Sequence, residues 1–459
     1  MTRHPLLSKM LIIGLLMLML ALALALVRSV VAERSAYRAA ATDEVAAAHA
    51  GAQTLSGPVI WLPYTETSVR VVKVDGDKGP RMHEETVTEQ RVAVQFPKLM
   101  DTRSELATEQ RLRGIFPVTV YTSRHRSTGR FVWSEIVPRS PGGRIALGQP
   151  LLLMGVSDAR GLLSAPQVRV AGQQLVMARA PAQAPLPLAA GLDPALLRPG
   201  AVLDLELQFE LAGTGGIGWV PLADENSVTL VSAWPHPSFR GNFLPRTRSV
   251  GDTGFEAHWR VPALSTRAQA QFVERGDARP ELEQFSVALA DPVDVYRLAE
   301  RAAKYGLLFI VLTFAAFFVL EMVRRWRIHP MQYLMIGAAL VLFFLLLLSI
   351  AEQLGFATAY ALASAACISL LAYYLRYVLG GWRPSLATSS LLVALYGVLY
   401  GILMSEDNAL LMGSMLLFGV LAAIMVATRK IDWYHVVPAD RQVAAAVARE
   451  ARPASGSVA

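Results

Sequence analysis

Apolar positions along the chain follow two different patterns. Residues 10–27 are uninterrupted by charge and lie between Lys9 and Arg28. Further long apolar runs occupy 305–323, 333–351, 356–375, 386–404 and 409–428. Each has the length a helix needs to cross the hydrocarbon core, about 20 residues at roughly 1.5 Å per residue. Backbone amides in lipid are satisfied only internally, so the runs predict six transmembrane helices. Between 29 and 304 the period changes from runs to alternation. Leu203, Leu205, Leu207, Phe209 and Leu211 alternate with Asp204, Glu206, Gln208 and Glu210. Phe255, Ala257, Trp259 and Val261 alternate with Glu256, His258 and Arg260 in the same way. This is the two-residue period of a half-buried strand. Segments 59–64, 68–74, 86–96 and 115–122 are rich in Val, Ile and Tyr and bounded by turn formers, which predicts further strands. A short Ala-rich helix is expected over 33–50, and a loop or short helix over 178–201.

The expected architecture is therefore an α+β membrane protein. A β-rich domain, sandwich- or barrel-like, occupies 29–304 between an N-terminal transmembrane helix and a C-terminal five-helix bundle. Asp291-Pro292 resembles a helix start, and 293–304 leads without a breaker into the second span. That predicts one helix which either couples the domain to the bundle mechanically or merely ends the domain.

Composition agrees with this division. Of the 459 residues, 53% are hydrophobic and 17% charged, against about 25% charged in soluble domains. The formal charge of +7 would suit nucleic acid, but residues 29–304 are almost balanced, and nearly all of the excess flanks the spans and tail. There it acts as a topology signal, so no nucleic-acid partner is expected. Arg3 and Lys9, then Arg324, Arg325 and Arg327, then Arg376 and Arg383, then Arg429 and Lys430 mark one side. Glu352-Gln353-Leu354-Gly355 and Ser405-Glu406-Asp407-Asn408 mark the other. By the positive-inside rule both termini are cytoplasmic and 29–304 lies outside, with a cytoplasmic, disordered tail over 429–459. A rival reading makes the first span a cleaved signal peptide ending at Val30-Val31-Ala32, although the run is longer than the usual apolar region. One cysteine, Cys367, permits no intrachain disulfide.

Candidate chemistry is sparse. Glu321 is the most deeply placed charge of a span, with a local ion pair expected to Arg324 and Arg325. Glu352, Glu406 and Asp407 lie at outer loops within reach of solvent, where they could gather a cation or proton, or simply follow from the orientation. Gly213-Thr214-Gly215-Gly216-Ile217-Gly218 matches the dinucleotide fingerprint, but Trp219-Val220-Pro221 follows where a helix is required, so a glycine-rich hairpin is expected. The eight histidines are scattered without metal-ligand spacing, and neither Gly-x-Ser-x-Gly nor Ser-x-x-Lys occurs. No metal, cofactor or catalytic residue is therefore assigned. The densest polar-aromatic patch runs from Trp234, His236, Phe239 and Arg240 through Arg246 and Arg248 to His258. It could bind an anionic envelope component, or pack on its own Trp and Pro residues.

Several of these segments resemble the CreD family of bacterial inner-membrane proteins. They are Trp234-Pro235-His236-Pro237-Ser238-Phe239 and Gly241-Asn242-Phe243-Leu244-Pro245, then Glu300-Arg301-Ala302 with Lys304-Tyr305-Gly306-Leu307-Leu308-Phe309. Arg327-Ile328-His329-Pro330-Met331-Gln332-Tyr333-Leu334, Ser405-Glu406-Asp407-Asn408-Ala409-Leu410-Leu411 and Asp432-Trp433-Tyr434 also fit, as do Gly57-Pro58-Val59 and Phe116-Pro117-Val118. The Ala- and Arg-rich tail after Pro438 departs from the pattern. The resemblance implies an inner-membrane protein of cell-envelope integrity, associated with envelope-stress, β-lactam and colicin responses, and supplies no catalytic residues. The leading expectation is a non-enzymatic protein, in contact with membrane lipids, whose periplasmic domain binds a cell-wall, lipid or protein component. The alternatives are a transporter or lipid-handling enzyme using Glu352, Glu406 and Asp407, and a signalling partner acting through the 293–323 helix.

Overall fold

The structure is a computed structural model that describes residues 5–76, 79–275, 282–289, 294–324, 328–405 and 408–429. Tertiary packing divides the chain into two units, residues 38–292 and the remainder. The expected tail over 430–459 and the Asp291-Pro292 start lie outside the described residues.

The first helix, α1, runs Pro5–His49, so the apolar span and the Ala-rich helix expected separately at 33–50 are one element. No Gly or Pro falls between Gly14 and Gly51, and polar Arg28, Glu33 and Arg34 do not break a helix. The 38–292 unit then contains β1 Gln53–Gly76, β2 Gly79–Gln95, β3 Leu99–Arg113, β4 Phe116–Val132, β5 Arg144–Leu147, β6 Leu151–Val156, β7 Gln167–Val170, β8 Gln173–Val176, β9 Ala178–Arg179 and β10 Leu188–Gly191. It continues with β11 Val202–Thr214, β12 Gly216–Trp219, β13 Glu225–Ser232, β14 Pro237–Gly241, β15 Thr247–Gly251, β16 Gly254–Pro262, helix α2 Ala268–Arg275 and β17 Phe285–Leu289.

These strands form two mixed sheets. One has the order β14-β17-β12-β1-β6-β10-β9, with β2 and β5 also on β1; the other runs β15-β16-β13-β3-β4-β11-β7-β8. Inward residues of both sheets, among them Ile60, Leu152, Leu205, Phe209, Trp219 and Trp259, share one buried core. The domain is thus a sandwich. The alternation predicted at 203–211 and 255–261 is seen in β11 and β16, where every second residue is buried and those between are exposed or half-buried.

Three local expectations change. Segments 59–64 and 68–74 are one strand, because Thr65, Glu66 and Thr67 keep pairing with Gln90, Glu89 and Thr88. The 178–201 stretch contributes β9 and β10 to a sheet rather than remaining a loop. The glycine-rich segment is no hairpin: β11 belongs to one sheet and β12 to the other, where β12 pairs in parallel with β1. The crossing turns at Gly215, whose φ of +79° suits a residue without a Cβ. A strand follows the glycines, so the helix N-terminus that would hold a pyrophosphate does not form.

In the other unit, α3 Val295–Arg324, α4 Pro330–Leu354, α5 Phe356–Val378, α6 Trp382–Met404 and α7 Ala409–Thr428 join the start of α1. Six helices are long and apolar enough to cross a membrane. Leu20 and Leu24 of α1 pack into the same buried cluster as Phe309, Phe314, Phe343 and Tyr396, so α1 is a structural part of this bundle. Asp294 Oδ1 accepts the Tyr296 and Arg297 amides at 3.1 and 3.3 Å, which makes Asp294 the cap of α3.

Candidate functional site

The Trp234–Arg248 patch occupies one corner of the sandwich. Strand β14 is the terminal strand of one sheet and β15 the terminal strand of the other, so the intervening residues bridge two sheet edges. The bridge is held by backbone contacts. Asn242 donates its amide to the Gln284 carbonyl at 2.8 Å, while its Oδ1 accepts the Gln284 amide at 3.2 Å. Gly241 turns at φ +94°, and a Cβ there would sit 2.2 Å from the Gln284 carbonyl oxygen. The Arg246 amide then reaches the His258 carbonyl at 2.8 Å and starts the pairing of β15 with β16.

The corner sorts its side chains by role. Phe239 turns inward, with its ring centroid 5.8 Å from Trp259 and 6.0 Å from Phe255. Trp234 is half-buried and donates Nε1 to the His236 carbonyl at 3.2 Å, with the His236 ring against its edge. His236, Arg240, Arg246 and Arg248 are exposed. The Arg248 guanidinium lies 5.6 Å from the Phe239 ring centroid, a cation-π placement that leaves its outer donors to solvent. No Asp or Glu occurs from Trp234 to Val250. Three exposed guanidiniums in one short segment, one of them over an aromatic ring, are suited to an extended anionic ligand.

The acidic candidates are placed differently. Glu406 and Asp407 lie outside the described residues. Glu352 is half-buried, its side chain largely withdrawn from solvent, because α4 continues to Leu354 and presents the carboxylate to α1 and α3. Arg34 of α1 donates Nε and Nη2 to its two oxygens, and Tyr296 of α3 adds its hydroxyl at 3.0 Å. At the other end of the bundle Glu321 receives Lys9 of α1 and the Tyr333 hydroxyl rather than Arg324, while Arg325, the other expected partner, lies outside the described residues. Lys9 also donates to the Ile328 carbonyl at 2.8 Å. Two carboxylate clamps thus fasten α1 near both ends of the bundle. Sequence reasoning missed Arg34, Tyr296 and Lys9 as partners because the pairs join residues more than 300 positions apart, or 56 for Tyr296 and Glu352. The remaining signal was that cations flank the first apolar run on both sides, as Lys9 and Arg34 do, while Glu321 and Glu352 lie near opposite ends of the later spans.

The sandwich also contains a buried histidine the sequence did not single out. His125 places Nδ1 2.8 Å from Ser104 Oγ and Nε2 2.8 Å from Ser123 Oγ. Its ring stacks on Phe209 with centroids 4.6 Å apart. Ser123 donates its hydroxyl to the Leu211 carbonyl, so it accepts from Nε2–H, and Nδ1 accepts from Ser104. Burial lowers the His125 pKa to about 3, which keeps the ring neutral. Among the described residues no carboxylate joins this relay, which fits a structural network. Among the described residues no cluster of His, Cys, Asp and Glu is arranged to hold a metal ion.

Comparison with known proteins agrees with the segment-by-segment likeness. A family profile described as Inner membrane protein CreD matches residues 5–434. The Inner membrane protein CreD of Escherichia coli (strain K12) is 35% identical over 445 residues, covering 95% of each chain. Among solved structures, an M1 zinc metallopeptidase of Deinococcus radiodurans in a mutant form bound to a Tyr-Ser-Ala substrate overlaps 46% of this chain and 53% of its own, at 10% identity and a TM-score of 0.22. A second structure of that peptidase covers 42% of each chain at a TM-score of 0.21. Likeness at that level carries no functional argument. With a profile match over nearly its whole length and a curated relative at this identity, the chain belongs to the CreD family of inner membrane proteins.

Proposed function

We propose that the protein supports cell-envelope integrity as a non-enzymatic membrane protein whose sandwich domain, lying in the periplasm, binds an anionic envelope component. Both termini are then cytoplasmic, as the distribution of loop arginines and lysines favours. The observation that carries the reading is the bridged corner, where Arg240, Arg246 and Arg248 are exposed, Arg248 lies over the Phe239 ring, and the segment from Trp234 to Val250 contains no acid. A role in envelope-stress or β-lactam responses follows from the family likeness. The alternative of an acidic outer mouth for transport or lipid chemistry loses Glu352, whose carboxylate is already occupied by Arg34 and Tyr296.

The test is the triple variant R240E/R246E/R248E in the full-length protein, with its level and thermal stability measured alongside envelope protection. These side chains are exposed, so the variant is expected to accumulate normally and lose protection together with retention of anionic envelope polymers. Full protection by the triple variant would exclude the corner. Full protection after deletion of residues 50–290 would exclude the domain altogether.

A further inference from the structure

The Lys9 end of the bundle carries a groove that the clamps do not use. It lies between the end of α3 and the start of α6 and has a volume of about 720 Å³. Arg324 and Arg383 line it, together with Ser390 and the apolar side chains of Leu320, Leu391 and Ala394. Both arginines are exposed, and among the described residues neither is paired with a carboxylate. Arg376, near the same end, shows the contrast. Its guanidinium sits 4.5 Å from the Trp382 ring centroid and 5.5 Å from that of Tyr377, so it is occupied by aromatic faces.

We propose that this groove is a site for an anionic phospholipid, with the phosphate between Arg324 and Arg383 and an acyl chain along Leu320, Leu391 and Ala394. Three features select this occupant. Two guanidiniums line one groove that, among the described residues, contains no acid, which is complementary to a phosphate and leaves a zwitterionic ammonium without a partner. The apolar lining continues from the charged end along membrane-spanning helices, as an amphiphile requires and a free phosphate does not. The volume lies within the roughly 300–1,000 Å³ of small-molecule sites. Basic grooves between transmembrane helices are a recurrent way of holding acidic headgroups.

The experiment is native mass spectrometry of the full-length protein, delipidated in detergent and titrated separately with phosphatidylglycerol, cardiolipin, phosphatidylethanolamine and inorganic phosphate. Phosphatidylglycerol and cardiolipin are expected to bind, and R324Q/R383Q is expected to weaken them roughly thirty-fold, at about ten-fold or less per arginine. Ala394→Trp retains both charges and fills the apolar part of the groove; it should also weaken acidic-lipid binding. Circular dichroism and size-exclusion profiles of all variants should match the parent, since the substituted side chains are exposed. Equal retention of phosphatidylethanolamine, or unchanged acidic-lipid binding by R324Q/R383Q, would overturn the proposal. Binding of phosphate as tightly as lipid would do the same, as would acidic-lipid binding that Ala394→Trp leaves untouched.

Discussion

Arg34 meets Glu352 in a two-point contact, Nε to Oε1 at 2.9 Å and Nη2 to Oε2 at 2.7 Å. The Glu352 side chain is 7% exposed and that of Arg34 38%, so solvent screens the cation but hardly the carboxylate. Removing one partner of a fully buried pair costs about 3–5 kcal/mol, and partial exposure lowers that. Arg34→Ala should therefore destabilise the detergent-solubilised protein by about 1–3 kcal/mol, chiefly by stranding Glu352. R34A/E352Q should cost less than the sum of the single changes. A double-mutant cycle in thermal unfolding with no coupling would show that the clamp does not hold α1.

Close packing of α1 gives a second prediction. A Cβ on Gly337 would lie 2.1 Å from Leu20 Cδ1 and 3.0 Å from Phe314 Cζ. Gly337→Ala is expected to cost about 1–3 kcal/mol through overpacking. Leu20→Ala should relieve the clash and recover part of that loss, although it leaves a cavity on its own. The same packing predicts that the first helix is retained. Mass measurement of the mature protein should include residues 5–32, and a mature N-terminus at Glu33 would contradict the bundle.

His125 makes stability depend on pH. Its folded pKa of about 3 lies below the ordinary value of 6.5. The unfolded chain therefore takes up a proton first as pH falls, and stability declines from about pH 6.5 toward 3 by at most about 1.4 kcal/mol per unit. His125→Asn has no such proton to bind. It will lower stability at neutral pH by disturbing Ser104 and Ser123, but its loss between pH 6.5 and 5 should be shallower than the parent's. Parallel melting slopes for the two proteins over that interval would exclude the assignment.

The parts of this structure legible in the sequence are those where one segment decides its own state. Twenty apolar residues in lipid have one solution, and strict alternation in 203–211 has another. The continuity of α1 was legible in part, since nothing between Gly14 and Gly51 breaks a helix, but a change from apolar to polar residues reads as an end. What remained hidden depends on partners distant in sequence. β12 pairs with β1, more than 150 residues earlier, and β11 and β12 separate at Gly215 into different sheets. The corner was recognisable by its Trp, Phe and Arg content, yet its position between two terminal strands emerges only once both sheets are assembled. Glu352 was visible as an acid beside a turn, but only the fold brings Arg34 and Tyr296 to it.

The end of α1 provides the last prediction. Asp158 accepts the Gly51 amide at 3.2 Å, the Arg160 amide at 3.1 Å and the Arg160 guanidinium at 2.9 and 2.6 Å. Arg160 in turn donates Nη1 to the Ala47 carbonyl at 2.5 Å, placing a cation at the C-terminus of the helix where the dipole favours it. The Arg160 contact is the largest cause of a folded Asp158 pKa lowered to about 2, against an ordinary value of 3.8. Because the folded value is depressed, the stabilisation is fully present above about pH 4 and is lost as pH falls through 4 toward 2. Asp158→Asn should melt lower than the parent at pH 7, and the gap should narrow as pH falls from about 4 to 2.5. A gap of the same size at pH 2.5 and pH 7 would mean that the carboxylate charge does not hold this helix end.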